Sequence, residues 1–498
     1  MMGINSMSGR PGGLLIIMGL VLAVSPVRPQ DDYQEWLKNQ NQDFQTYVTE
    51  QDRIFTDFLK ADWQKLNAFM GVVPDTVPKP VKIPVYKPPK KEPKPKPAQV
   101  TKPVIVPDLP KPKPTPKPAP EKRPRPPKVK TTKTVTVDFL GMSLKVEVDK
   151  KMMTKLRGKI GKEYVSNYWE QTAQAPYAAT LQQAMYYKDQ LGLNDWGYGI
   201  LLGGIGKEIY GEDHNLTNLF TWFMLLKSGY DAKLGYTTDS IILLVPAADM
   251  IYGIPYYRFE GSEQKYYTIA FGKLPEKSKG SLFVYQGDHP DAQTLMDFSV
   301  RKVPSFEHNL NDRIRRFSYN GRKYEVPIKI NRGIVDLYRY YPLTHMSVFF
   351  NAGVSPSVEY KLLSSLGKLI KGKSEAEAVN MLLRFVQTAF EYQTDQQQFG
   401  REKYLIPDET LYYGICDCED RSILFGHLVR ELVGLKVVGL DYPGHIATAV
   451  KFSTKLPGTY VEYGGEQYLI CDPTYINADI GMAMPQFKDT APELIGLL

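Results

Sequence analysis

Cysteine is nearly missing from this chain: three in 498 residues, too few for a disulfide scaffold. Histidine is almost as scarce, with six, so imidazole chemistry has few candidates. There is no Walker loop, dinucleotide fingerprint, HExxH pair or EF-hand loop, and neither a cofactor nor a metal is expected. The 39 glycines follow no G-X-Y period, which excludes a collagen-like rod. A hydrophobic content of 43%, with 12% aromatic residues, excludes a wholly disordered chain. The length suggests roughly two to four folded units.

Acidic residues are thin in one stretch above all. Residues 74–130 hold 20 prolines and 16 Lys/Arg against 4 Asp/Glu, a net charge of +12. The whole chain carries +8, so everything else sums to −4. The basic character belongs to this segment and gives no reason to expect a nucleic-acid partner. Proline lacks the ladder donor and fixes φ, so the stretch is expected to be a disordered, extended linker of polyproline II character. Its full reach is roughly 180 Å at about 3.1 Å per residue. A plain spacer is one reading, and contact with an anionic cell-envelope surface is the other. The alternating Lys-Pro texture resembles the periplasm-spanning segments of TonB-like proteins.

No apolar run is long enough to cross a bilayer as a helix. Arg10 followed by Leu14 to Val24 is the order of a secretory signal peptide, with cleavage expected after Ala23. An uncleaved anchor is the alternative. Either places the body outside the cytoplasm, in the periplasm, the cell envelope or the medium. No cysteine near residue 24 invites lipidation.

Residues 33–70 repeat with a period of eleven. Tyr33, Phe44, Phe55 and Leu66 form one series; Trp36, Tyr47, Phe58 and Phe69 a second; Leu37, Val48, Leu59 and Met70 a third. Eleven residues make three turns, so the three series share one stripe of a long amphipathic helix over 31–72, stopped by Gly71 and Pro74. The stripe must be covered. Self-association is the favoured expectation, and packing on the protein's own body or a membrane surface the rival.

The chemistry lies in the last 110 or so residues. Ser374 to Phe390 reads as a helix. Gly414-Ile415-Cys416-Asp417-Cys418-Glu419-Asp420-Arg421-Ser422 leads into a second helix that ends at Gly434. Val437 to Leu440, Ile446 to Phe452 and Gln467 to Cys471 read as strands, with His445 opening the second and Asp472-Pro473-Thr474 closing the third. A cysteine at a helix start has its thiolate favoured by the helix dipole. It still needs an imidazole to take its proton and a carboxylate to orient that imidazole. The alternative, a Cys3His zinc site from Cys416, Cys418, His445 and Cys471, uses the same residues. His427 reads as a helix-surface residue.

Cys-Glu-Asp-Arg-Ser opening a helix, Gly-His-Ile-Ala opening a strand and Tyr-Leu-Ile-Cys-Asp-Pro-Thr on the next strand resemble the transglutaminase-like superfamily of papain-type folds. The resemblance covers residues 374–480. It implies that Cys418 is the nucleophile, His445 the base and Asp472 the residue that orients it, with a protein or peptide as substrate. Cys418 is preferred to Cys416 because Asp420 and Ser422 then fall two and four positions after it, as the family's helix packing demands. Cys416 is either a bystander or paired with Cys471. The Cys418 backbone N–H is an oxyanion donor by position.

An earlier stretch reads as a worn copy. Gln182, Ala184 and Tyr187 match Gln387, Ala389 and Tyr392, and Leu219-Phe220 matches Leu424-Phe425. Hairpin-like pairs at Phe139-Leu140-Gly141 and Tyr319-Asn320-Gly321 precede the two copies. Residues 132–305 contain no cysteine; Asp213 falls near the cysteine position and Ser240 near the histidine position. A glutamine kept in an inactive copy makes Gln387 structural rather than an oxyanion donor. Aromatic strands around Tyr252–Tyr257 and Tyr338–Phe350 read as sheet and core, with a carbohydrate or peptide groove as the alternative. The expected fold is α+β: two transglutaminase-like units, 132–305 and 311–498, each a helix on an antiparallel sheet, behind a long helix and a linker. The expected function is exported amide acyl transfer, most simply peptide hydrolysis. A non-catalytic envelope-binding or assembly protein is the alternative.

Overall fold

The structure is a computed structural model that describes residues 30–61, 63–66, 83–87, 104, 132–153, 155–273, 282–285, 287–306 and 308–496. In its first helix, side chains are described at Gln42 and from Gln45 onward. The expected signal segment and most of the 74–130 linker lie outside these residues. So do the side chains of Tyr33, Trp36, Leu37 and Phe44, and all of Phe69 and Met70. The chain divides into one unit up to Gln51 and a second from Asp52 to the C-terminus.

Helix α1 covers Gln30–Ala61. It stops ten residues before Gly71, and Gln64–Leu66 forms a strand, β1, instead of continuing the helix. Tertiary contacts end it. The Trp63 indole N–H donates to the Leu59 carbonyl, and its ring packs on Tyr236 and Tyr285. Within the second unit the stripe is covered by the protein's own body: Phe55 and Leu59 are buried, and Phe55 meets Trp169 edge-on at 4.7 Å. A buried Asp52–Lys227 ion pair fixes the same turn. In the first unit Tyr47 is exposed.

The architecture is α+β. Hairpin β2 (Thr132–Phe139) and β3 (Met142–Asp149) precede helices α2 (Lys162–Ala173), α3 (Ala178–Leu191), α4 (Asp195–Tyr210) and α5 (His214–Lys227). A sheet follows from β4 (Lys233–Tyr236), β5 (Ile241–Pro246), β6 (Tyr256–Tyr257), β7 (Tyr266–Thr268) and β8 (Leu282–Val284). The second half repeats the plan. Hairpin β9 (Leu310–Tyr319) and β10 (Arg322–Asn331) turns on Asn320-Gly321, both at positive φ, as a two-residue hairpin turn requires. Helices α6 (Arg332–Tyr338), α7 (Met346–Phe350), α8 (Pro356–Leu362), α9 (Lys368–Ile370) and α10 (Glu375–Thr388) come next. The run 338–350 is therefore buried helix and connecting chain, not strand.

Strands β11 (Glu391–Tyr392) and β12 (Ile415–Cys416) make a short parallel pair around α11 (Asp395–Phe399) and α12 (Pro407–Tyr413). Helix α13 (Cys418–Val433) then leads into β13 (Lys436–Tyr442), β14 (His445–Lys451), β15 (Tyr460–Tyr463), β16 (Glu466–Cys471) and β17 (Glu493–Ile495).

The two sheets share one strand order. The first runs β8-β4-β5-β7-β6, with β1 added beside β8, and the second runs β17-β13-β14-β16-β15; every pairing is antiparallel. They are not isolated from each other. One apolar cluster takes in Trp196 and Phe220 from the first half with Phe350, Ile423 and Ile446 from the second. Among the described residues no helix is long and apolar enough to cross a membrane.

Two further expectations change at this level. The linker is not free along its whole length, because residues 83–87 and Val104 lie against the second half. His427 is buried rather than on the helix surface; burial and then Arg430 hold its pKa down, to about 4. A folded-state pKa below the ordinary value favours the neutral ring, so the stability it protects is present above pH 6.5 and lost as pH falls toward 4. The loss is on the order of 3 kcal/mol. Asp408 acts in the opposite sense, since burial raises its pKa to about 6. His427→Gln should therefore lift stability at pH 4.5 relative to pH 7, read as the shift in urea midpoint between the two pH values.

Candidate active site

Cys418 is the first residue of α13, with Asp417 as the N-cap. Three local features set the helix there: Glu419 and Asp420 in its first turn, Arg430 in its last, and Gly434 at φ 76° as the terminator. One turn after Cys418, the Ser422 hydroxyl donates to the Ile446 carbonyl at 3.0 Å. The face of α13 that carries Cys418 is thereby tied to the start of β14, where His445 sits. The small side chain at 422 permits that approach.

His445 faces Tyr442 across the Pro443-Gly444 turn. Thr448 on β14 lies opposite Cys471 on β16, so His445 and Asp472 fall at the same end of neighbouring strands. They meet there: His445 Nε2 and Asp472 Oδ2 are 2.9 Å apart. The other carboxylate oxygen accepts from the backbone N–H groups of Thr474 and Tyr475 at 2.9 and 3.1 Å. Burial disfavours the imidazolium, but the charge and hydrogen bond of Asp472, with Glu419 behind them, outweigh it and raise the His445 pKa.

The His445–Asp472 pair is joined, and Cys418 has a carboxylate beside it. The Cys418 thiol donates to Glu419 Oε2 at 3.0 Å, while the buried His445 Nδ1 has no hydrogen-bond partner. Cys418 and His445 are 0% and 2% exposed. The Phe487 ring stacks on the imidazole at 5.1 Å and 7°. Neither Glu419 as thiol partner nor Phe487 as cover was anticipated from the sequence; the first was visible only as the neighbour of Cys418.

The remaining cysteines are core residues. All three are free, so Cys416 and Cys471 do not pair. Burial pushes the Cys416 thiol up to about 12 and raises that of Cys471 further. Among the described residues, Cys416, Cys418, His445 and Cys471 do not form a metal-binding cluster. The group that does come together is Asp395, Asp417 and Asp420, all buried, with one oxygen of each within 4.8 Å of the others. Such an all-oxygen set suits a hard divalent cation. Without one, burial and the neighbouring Asp417 and Asp395 push the Asp420 carboxyl far above the usual carboxylate range.

Gln387 is structural, as expected, but for a different reason. Buried on α10, it donates through Nε2 to the carbonyls of Asp472, Tyr475 and Ala478 at 3.1, 2.8 and 3.0 Å. Its Oε1 accepts from Asn477 N–H. Gln182 is no counterpart. It is exposed on α3, which packs on β3, whereas α10 packs on β9 and α13 as α4 packs on β2 and α5. Arg421 places its guanidinium at the C-terminal end of α10, donating to the Gln387 and Phe390 carbonyls.

The strand registers also fix the matching positions in the first half. His214, after N-cap Asp213, opens α5 as Cys418 opens α13. Ile241 faces Tyr236 as His445 faces Tyr442, and Leu244 faces Thr268 as Thr448 faces Cys471, which sets Ile269 at the Asp472 position. Asp213 and Ser240 are each one residue off. The three positions hold His, Ile and Ile. Set against known proteins, the chain matches no family model and no curated protein sequence.

Proposed function

We propose that the chain is a cysteine-dependent amide-bond enzyme of the transglutaminase-like, papain-type class, with a catalytic second half and an inactive first copy. The observation that carries this reading is the Nε2–Oδ2 pair of His445 and Asp472 with Nδ1 left open, at the strand end tied by Ser422 to the helix that Cys418 begins.

The chemistry follows from those atoms. The Cys418 proton passes to His445 Nδ1, leaving a thiolate at the positive end of α13. The thiolate adds to an amide carbonyl. The oxyanion takes a hydrogen bond from the Cys418 backbone N–H, in the first turn where the helix supplies no acceptor of its own. The imidazolium, oriented by Asp472, gives its proton to the leaving amine, and a thioester remains. Water or a second amine then attacks the thioester, His445 takes the incoming proton, and the thiol is restored. Peptide hydrolysis by an exported protein is the simplest form.

A second reading, a binding or assembly protein, is favoured by the Cys418–Glu419 hydrogen bond and the covered histidine. Iodoacetamide labelling followed by peptide mapping separates the two. Cys418 should react faster than Cys416 and Cys471, and His445→Ala should slow it at least about tenfold. Equal labelling of all three cysteines that stays unchanged by His445→Ala, even with the cover removed by Phe487→Ala, rules out the enzyme.

A further inference from the structure

A short piece of the proline-rich segment sits on the loop that carries Asp472. Tyr86 N–H donates to the Ile476 carbonyl at 2.7 Å and Ile476 N–H donates to the Pro84 carbonyl at 3.1 Å, a parallel bridge centred on Val85. The Tyr86 ring meets Tyr475 edge-on at 6.1 Å. Farther along, Val104 exchanges backbone hydrogen bonds with Lys373 and Gly372 and is buried in the second half's core. That second anchor keeps residues 83–87 close to their seat, where attachment through the chain raises the effective concentration. A proline-containing strand loses little freedom on docking, because it is already extended.

The seat is continuous with the site. Tyr86, Met482 and Phe487 pack on one apolar cluster of Tyr475, Ala478 and Met484. Phe487 in turn lies flat on His445. Gln387 holds the 472–478 loop from the inside, and residues 83–87 hold it from the outside. With Phe487 in place neither Cys418 nor His445 is open to a substrate.

On the reading that Cys418 and His445 are catalytic, we propose that Ile83-Pro84-Val85-Tyr86-Lys87 is a resident peptide that latches the Phe487 segment over the site. The Tyr475–Ile476 edge is then a docking site for extended peptides of the same kind, a proline and a β-branched residue before an aromatic one, and the site opens when that edge is vacated.

The test uses the full chain. Tyr86→Pro removes both the bridging N–H and the ring from an outlying segment, and thermal melting checks that the fold is kept. Iodoacetamide labelling of Cys418 should accelerate at least about fivefold as the open fraction grows. A synthetic peptide of residues 81–90, added to the variant, should slow labelling again. Phe487→Ala should accelerate labelling as well, and labelling that stays unchanged in Tyr86→Pro overturns the latch. The double variant Tyr86→Pro/His445→Ala keeps the two readings apart. Fast labelling that ignores His445 sinks the catalytic reading and leaves the latch standing. Labelling that depends on His445 but not on Tyr86 does the reverse.

Discussion

Cys418→Ala should lower turnover of a fluorogenic peptide-amide library by at least about 10⁴-fold, the scale seen when a catalytic nucleophile is removed. Cys416→Ala and Cys471→Ala should keep most of it. The difference is one of placement. Cys416 lies on β12 with its thiol held neutral by burial, and Cys471 points into the core, where it donates to the Leu469 carbonyl. Neither opens a helix. Cys418 does, and Ser422 ties that helix to the strand that His445 begins. Because Cys418 is small and its neighbours in α13 remain, the alanine variant should melt within a few degrees of the parent. The opposite ranking, with activity lost in Cys416→Ala and kept in Cys418→Ala, would assign the chemistry to the wrong thiol here and end the proposal as stated.

The largest loss of stability should come from Gln387→Ala, about 3 to 5 kcal/mol by chemical denaturation. One buried amide serves three carbonyls and one N–H of residues 472–478. Truncation leaves all four without that partner in a place where water does not substitute. The same loop presents the Asp472 carboxylate, so slack there should also loosen its hold on His445. In the variant the pH midpoint of Cys418 labelling should move toward that of Asp472→Asn. A cost under about 1 kcal/mol with an unmoved midpoint would mean that the loop holds itself.

Local signals made the second half legible. The Asn320-Gly321 turn, the Ser374 cap of α10, the Gly434 stop and the short apolar runs of three strands are written in neighbouring residues, and all are present. His445 and Asp472 were legible because each stands at a strand end. What escaped depends on residues far apart in sequence. Asp395 joins Asp417 and Asp420 only once α11 and α13 are packed. Phe487 finds His445 across more than forty residues. The eleven-residue stripe predicted helix to Gly71, but the period cannot register that Trp63 has a better place against Tyr236 and Tyr285. Gln182 and Gln387 looked alike in sequence and lie on helices with different neighbours. Period and propensity describe one segment at a time, and tertiary contacts decide between segments.

The shared strand order lets one chain serve as its own reference. Where the second sheet buries an imidazole and a carboxylate, the first buries Ile241 and leaves Ile269 beside it, at the same register and with the same neighbours in order. The architecture is thus complete without those polar side chains. An ion pair out of water seldom outdoes well-packed hydrocarbon in stability, and Asp472 offsets part of that cost by accepting from the Thr474 and Tyr475 N–H groups. A histidine and an aspartate held there, joined to each other and open at one nitrogen, set the second sheet apart from the first.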